Sequence, residues 1–144
     1  NPPWRDEFCP KRTLTRAEAA AMLSRALDLP PSPVDAFTDD DGLSLEADIN
    51  ALAAAGITRG CSPTTFCPTR RLTRAEMAAF TARALALAFV DADTFSDDDG
   101  HRHERDIERL AAAGITRGCS PTTFCPDQAM PREQAAAFLY RALG

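Results

Sequence analysis

Two arginines at the start of predicted helices could bind an anion. Arg16 and Arg74 each occupy the second position of the sequence Thr-Arg-Ala-Glu. A helix N-terminus exposes unpaired amides and positive potential, and an arginine in its first turn adds a planar fork that suits a carboxylate. Glu18 and Glu76 compete for the same amides, so the alternative interpretation is a helix cap with a surface salt bridge.

Five cysteines form two equally spaced pairs and one remainder. Cys61/Cys67 and Cys119/Cys125 each enclose Ser-Pro-Thr-Thr-Phe. Matching pairs indicate an oxidising compartment, and their spacing differs from the Cys-x2–4-Cys pattern of structural zinc sites. We therefore expect two local disulfides, with metal ligation as the alternative. Cys9 aligns with the second cysteine of each pair, so we expect it to be unpaired here and its partner to lie upstream.

Two acidic turns, each reading Asp-Asp-Asp-Gly, precede a predicted short helix. Their carboxylates could hold calcium, although the spacing is not that of an EF-hand loop. Alternatively, the aspartates face the positive end of the helix dipole. Apart from this possible calcium, no cofactor is expected. The candidate metal ligands are Asp39, Asp41, Glu46, Asp97, Asp99 and Glu104.

Composition and pattern argue against several classes of function. The net charge of -5 makes nucleic acid an improbable partner. No apolar stretch approaches the roughly 20 residues of a membrane-spanning helix. The chain has no phosphate-binding loop and no nucleophile-base order with structural context, and we expect His101 and His103 to be exposed. We therefore predict that this chain is not an enzyme.

A repeat of 58 residues organises these features. The sequence GITRGCSPTTFCP at 56–68 recurs letter for letter at 114–126. Each repeat should contain a short helix ended by a glycine and a longer helix opened by a capping box. The predicted fold is mainly α, with tandem helix-loop-helix repeats that bury their apolar faces on one another. We expect a half-repeat at 1–33 and full repeats at 34–91 and 92–144, which together form one compact domain.

The motifs resemble those of the S-layer homology family, whose repeats combine Phe-x-Asp, a short helix, Gly-Ile-x-x-Gly, Phe-x-Pro and Thr-Arg-Ala-Glu. The resemblance covers nearly the whole chain, and the four motifs occur in order. The matching positions are Phe37/Asp39, 56–60, Phe66/Pro68 and 73–76, with counterparts 58 residues later. The last of these counterparts is altered to Pro131-Arg132-Glu133-Gln134.

This resemblance implies a pseudo-threefold bundle of the long helices and binding of an acidic, often pyruvylated, cell-wall glycan in grooves between repeats. It also implies a secreted, extracellular or cell-wall associated protein that attaches noncovalently to the surface. Arginines of the Thr-Arg-Ala-Glu motif would contact the acidic group. The candidate glycan-binding residues are Arg16, Arg74, Arg132, Arg59, Arg117, Asp39 and Asp97.

One departure from the family supports a second hypothesis. The tryptophan that is usual early in the short helix is replaced by Ser44 and Arg102, so the usual sugar-stacking platform is absent. The alternative function is a structural or protein-protein assembly module without glycan binding. The expected partner is therefore a cell-wall polysaccharide or another surface protein, and an upstream domain or self-association is expected to cover the incomplete first repeat.

Overall fold

The computed structural model of the chain describes residues 12–143, in which long and short helices alternate. Isolated bridges are the only β-structure within this range. The prediction of a mainly α fold built from tandem helical repeats is confirmed. The helices are α1 (Arg16–Ala26), α2 (Glu46–Ala54), α3 (Arg74–Ala84), α4 (Glu104–Ala112) and α5 (Arg132–Leu143).

Local sequence signals set the ends of most helices. Thr15 and Glu18 form a capping box at α1, as Thr73 and Glu76 do at α3. The short helices α2 and α4 run into Gly56 and Gly114, both with φ +76°, a left-handed conformation that glycine adopts without strain. These predicted boundaries are confirmed.

The three long helices are arranged with pseudo-threefold symmetry. A cycle of backbone hydrogen bonds, formed by the residues just before each helix, has the same symmetry. The Leu14 amide donates to the Met130 carbonyl at 2.9 Å, Leu72 to Leu14 at 2.8 Å, and Met130 to Leu72 at 2.9 Å. Each residue therefore donates to one neighbour and accepts from the other. All three side chains are fully buried, so this closed cycle lies in the core.

Each short helix packs on the long helix that precedes it in sequence. Helix α2 lies against α1, and α4 lies against α3. Salt bridges accompany both contacts, from Arg25 to Asp48 at 3.4 Å and from Arg83 to Asp106 at 3.8 Å. No described short helix covers α5 in the same way, since residues 12–143 contain two short helices and three long ones.

Several sequence-based expectations need correction. Leu45 and His103 precede the short helices as their N-cap residues and form no side-chain cap, so the aspartates of the acidic turns do not cap these helices. His101 and His103 are partly buried and not exposed. The Nε2 atom of His101 lies 2.9 Å from Oδ1 of Asp127, and the two imidazole rings lie next to each other. Burial, with the positive charge of Arg102 adding to its effect, lowers the pKa of His103 to about 4.

No helix in the described range is long and apolar enough to cross a membrane. Cys9 lies outside the described residues.

Candidate functional site: grooves between repeats

A groove rich in arginine lies between α1 and α3. It has a volume of about 270 Å³, and its wall contains five arginines and a single carboxylate, that of Glu76. Because like charges converge there, the groove favours an anion. The charged lining residues are Arg16, Arg59, Arg70, Arg83, Arg102 and Glu76.

Arg16 forms the floor of this groove and is only 3% exposed. Its Nε donates to the Phe66 carbonyl at 2.8 Å, its guanidinium donates to Glu76, and its charge lies 4.7 Å from the Phe66 ring centre. Burial lowers the pKa of Arg16, although Glu76 opposes that effect. Arg16 therefore joins α1 to the following repeat through hydrogen bonds to Phe66 and Glu76.

Residues 58–61 form one wall of the groove and lead into a disulfide-closed loop. The structure joins Cys61 to Cys67, and Cys119 to Cys125 in the next repeat. Gly60, at φ +79°, lies so close to the loop that a Cβ would come within 2.4 Å of the Thr65 carbonyl oxygen. The loop can therefore fold this closely over position 60 only when the residue there is glycine.

Asp39 supports the same loop from beneath. One carboxylate oxygen accepts the Phe66 amide at 2.8 Å and the other accepts the Cys67 amide at 2.8 Å. Asp97 repeats this arrangement with Phe124 and Cys125. Both aspartates shape the loop and do not line either groove, which differs from the glycan-contact role that the family resemblance implies.

A second groove lies between α3 and α5 and repeats the first with fewer cations. Arg74 is its floor, donating from Nε to the Phe124 carbonyl at 2.9 Å and from its guanidinium to Gln134. Arg117 and Arg141 line its wall. Gln128 stands where the first groove has Arg70, and no described residue takes the place of Arg102. More arginines therefore line the first groove than the second.

The structure brings together some predicted residues and adds others. Arg16 and Arg59 meet in the first groove, and Arg74 and Arg117 meet in the second. Arg132 lines neither groove; its amide donates to the Arg12 carbonyl at 2.9 Å. Sequence reasoning missed Arg70, Arg83 and Arg102, although Arg102 was noticed as the residue in place of the usual tryptophan.

Two clusters of carboxylates lie away from the grooves. They contain four of the predicted metal ligands, which are Asp41, Glu46, Asp99 and Glu104. Asp39 and Asp97 bind loop amides and belong to neither cluster. In each cluster, one oxygen atom from every carboxylate lies within 4.8 Å of the others. The members are Asp35, Asp40, Asp41 and Glu46, and Asp93, Asp98, Asp99 and Glu104.

The central aspartates of these clusters are strongly perturbed. Asp40 and Asp98 are fully buried. Burial, reinforced by the Glu46 and Asp35 charges, raises the pKa of Asp40 to about 6. Burial and the neighbouring Glu108 raise the pKa of Asp98 to about 7. Each carboxylate therefore resists ionisation in the absence of a cation.

Comparisons with known proteins agree with the motif resemblance. The chain is 29% identical to cell surface glycoprotein 1 of Acetivibrio thermocellus, over 94% of this chain and 7% of that protein. It is 28% identical to the cellulosome-anchoring protein of the same organism, over 94% of this chain and 33% of that protein. It is 32% identical to an amylopullulanase of Thermoanaerobacterium thermosulfurigenes, over 95% of this chain and 8% of that protein. The chain thus spans a third or less of each relative.

The sequence profile of the S-layer homology domain matches the chain twice, over residues 36–78 and 94–136. Each match contains one short helix, one disulfide loop and the first turn of one long helix. Together the two matches include more than half of the 144 residues. The chain therefore belongs to the S-layer homology domain family.

Proposed function

We propose that this chain is a noncovalent cell-surface attachment module that binds an acidic cell-wall glycan, such as a pyruvylated one, in the groove between α1 and α3. The observation that carries the proposal is the convergence of five arginines on one groove with a single carboxylate among them. Planar guanidinium groups bind carboxylates in bidentate fashion, which suits the acid group of a ketal or a uronic acid.

The exposed arginines, and not the buried one, would contact the glycan. Arg59 and Arg102 are exposed, and residues 12–143 provide neither with an ion pair. Arg70 pairs with Glu76 but keeps 54% of its side chain exposed. Arg16 would not contact the glycan itself. It would keep the groove in shape, because its hydrogen bonds hold Glu76 and the Phe66 carbonyl in place.

The size of the groove restricts the ligand to a short stretch of polymer. Its volume of about 270 Å³ lies near the lower end of the range for small-molecule sites. One acidic sugar residue would enter the groove, while the rest of the polymer remained in solvent. Arg102, in place of the usual tryptophan, would supply charge where the family commonly supplies an aromatic platform.

The names of the relatives support attachment. Two of them are a cellulosome-anchoring protein and a cell surface glycoprotein. The amylopullulanase shares only 8% of its length with this chain, so the shared segment is a small accessory part of that protein. An attachment module with no catalytic role of its own, carried by proteins of different activity, accounts for both kinds of relative. It would place this chain on the cell surface or in the cell wall.

The proposal is tested by sedimentation with purified bacterial sacculi, before and after chemical removal of the secondary polymer. We expect the chain to bind intact sacculi and to lose binding when the polymer is removed. Arg59→Ala combined with Arg102→Ala should lower the affinity about tenfold or more, because each arginine donates charged hydrogen bonds.

Arg71→Ala is the matched control for these variants, since Arg71 is exposed but lies outside the groove. It should bind as the wild type does. No binding of the folded, disulfide-intact chain to any sacculus would reject glycan attachment, and so would equal losses in the groove and control variants.

A second candidate function is protein-protein assembly through α5, which a specific exposure pattern favours. Tyr140 is 80% exposed, whereas Ala82 and Ser24 at the equivalent positions of α3 and α1 are buried beneath α4 and α2. Arg141 corresponds to Arg25 and Arg83, each of which pairs with an aspartate of a short helix. The matching partner is a short helix with an acidic residue in this register, supplied by another segment or a second copy.

Light scattering after size-exclusion chromatography tests this second candidate over a range of concentrations. If a second copy covers α5, the wild type forms dimers or larger species, and Tyr140→Ser weakens them. A monomer at every concentration would exclude self-association through this face.

A further inference from the structure

Two buried carboxylates receive no hydrogen bond from an amide, hydroxyl or cationic group of the described residues. Both oxygen atoms of Asp40, and both of Asp98, lack such a donor, although the Glu108 carboxyl lies beside Asp98. Each residue is 0% exposed. An ionised carboxylate that is removed from water is costly unless hydrogen bonds or a cation compensate it. Since the described chain supplies neither, each aspartate must either take up a proton or bind a cation.

The surroundings of Asp40 favour the cation. Asp35, Asp41 and Glu46 each place an oxygen within 4.8 Å of the others in the Asp40 cluster. Four carboxylates at this separation repel one another at neutral pH. No described arginine forms an ion pair with any of the four. A cation placed among them would remove the repulsion and satisfy the buried oxygens.

The same four positions recur 58 residues later as Asp93, Asp98, Asp99 and Glu104. The burial pattern is also the same, since the second aspartate is fully buried, the other two aspartates are exposed and the glutamate is half-buried. A buried aspartate surrounded by three other carboxylates is therefore a repeated feature of the fold, and in the second repeat Glu108 stands beside it where the first repeat has Asn50. Its recurrence supports a common role for the two clusters.

We propose that each cluster is a calcium site, with Asp35, Asp40, Asp41 and Glu46 as the ligands in one repeat and Asp93, Asp98, Asp99 and Glu104 as the ligands in the next. Carboxylate oxygens are the ligands that calcium prefers, and its coordination number of six to eight leaves positions for water and backbone carbonyls. Magnesium requires a small octahedral site and retains its own waters, so it fits four converging carboxylates less well.

Calcium would connect the start of each short helix to the groove loop. Asp39, which holds the Phe66 and Cys67 amides, directly precedes Asp40 in the chain. A cation on Asp40 would therefore fix the segment that supports the disulfide loop from beneath. The proposal does not depend on glycan binding, because its ligands lie outside both grooves.

The test is calorimetric titration of the chelator-treated, disulfide-intact chain with calcium chloride. We expect two sites per chain, with Kd values of about 10⁻⁴ M or tighter. Magnesium chloride should bind at least about tenfold more weakly. The melting temperature should rise by about 5 °C or more at saturating calcium, because the ion binds the folded state.

Single-residue variants assign the sites. Asp40→Asn and Asp98→Asn should each leave one calcium site, and the double variant should leave none. In chelator, Asp40→Asn should melt no lower than the wild type, since it removes a buried unpaired charge. Glu46→Gln, at the edge of the cluster, is a milder variant that should weaken one site, and Glu133→Gln, an exposed acid of α5, should leave both sites intact.

Several results would overturn the proposal. They are a wild-type chain that binds no calcium at millimolar concentration, binding that survives in the double variant, or equal affinity for calcium and magnesium. The wild-type titration decides the first point even if a variant fails to fold.

Discussion

The guanidinium of Arg16 on α1 donates to the carboxylate of Glu76 on α3, and the two residues are only 3% and 8% exposed. In the next repeat, Arg74 donates to Gln134 at the equivalent position. The same joint between successive long helices is therefore built once with a carboxylate and once with a neutral amide. Comparing the two arrangements therefore separates the effect of the carboxylate charge from that of the hydrogen bond.

Glu76→Ala should destabilise the chain by about 3 kcal/mol, because it leaves the buried Arg16 without its partner. Glu76→Gln should cost clearly less, since it copies the arrangement of Arg74 with Gln134. Urea denaturation at neutral pH measures both changes. Equal losses in the two variants would show that charge, and not hydrogen bonding, holds the joint.

The stability contributed by Glu76 should depend on pH. Burial opposes its ionisation, but the hydrogen bond from the Thr73 amide and the charges of Arg16 and Arg70 outweigh burial, so the pKa of Glu76 lies below its ordinary value of 4.5. A lowered folded-state pKa means that the contribution is complete above about pH 4.5 and is lost as the pH falls through the folded value.

The difference in unfolding free energy between the wild type and Glu76→Gln measures this dependence. It should be constant above about pH 5 and shrink below about pH 4.5. Both proteins are compared at one calcium concentration, so that the carboxylate clusters cancel. A difference that grew toward low pH would contradict the assigned direction of the shift.

Replacing Cys61 and Cys67 together by serine should lower stability by about 2 kcal/mol, because the disulfide closes only a short loop. The helices should remain, while amides of the groove loop should exchange faster with deuterium. Denaturation and hydrogen exchange measure these effects, and the pair Cys119→Ser and Cys125→Ser should behave in parallel. An unchanged exchange rate in the 61–67 loop would mean that hydrogen bonds alone hold its shape.

Two glycines with nearly equal φ angles should respond differently to alanine. Gly56→Ala should cost about 1–2 kcal/mol for the left-handed backbone alone, as no atom lies within 4 Å of a new Cβ. Gly60→Ala should cost about 3 kcal/mol or more, because its Cβ would also come within 2.6 Å of the Ser62 carbonyl oxygen. Thermal unfolding measures both, and a Gly60 variant as stable as the Gly56 variant would refute the close approach.

Features that depend on neighbours in sequence were predictable. A threonine and a glutamate three residues apart form a capping box through contacts inside one helical turn, as Thr15 and Glu18 do. The cysteine pairs are separated by six positions, which a single loop can close. The helical class and the repeat follow from the same local patterns.

Features that depend on packing between distant segments were not predictable in detail. Arg16 was expected to offer its charge to a ligand, but it is buried against residues 50 and 60 positions away. Asp39 was expected to contact a metal or a glycan, but it binds amides 27 and 28 positions away. Nothing in the sequence distinguishes Asp40, the buried member of its acidic turn, from its neighbours.

By itself, the sequence determined the helices, the capped starts of α1 and α3, the glycine ends of α2 and α4, the disulfide loops and the family. These rest on interactions within a few residues and on a repeat that can be read directly. The tertiary structure decided which arginines line a groove, which one becomes its floor, and which aspartates lose contact with water. Those outcomes depend on burial and on distances between segments of different repeats. They arise only when three long helices close around the backbone cycle of Leu14, Leu72 and Met130.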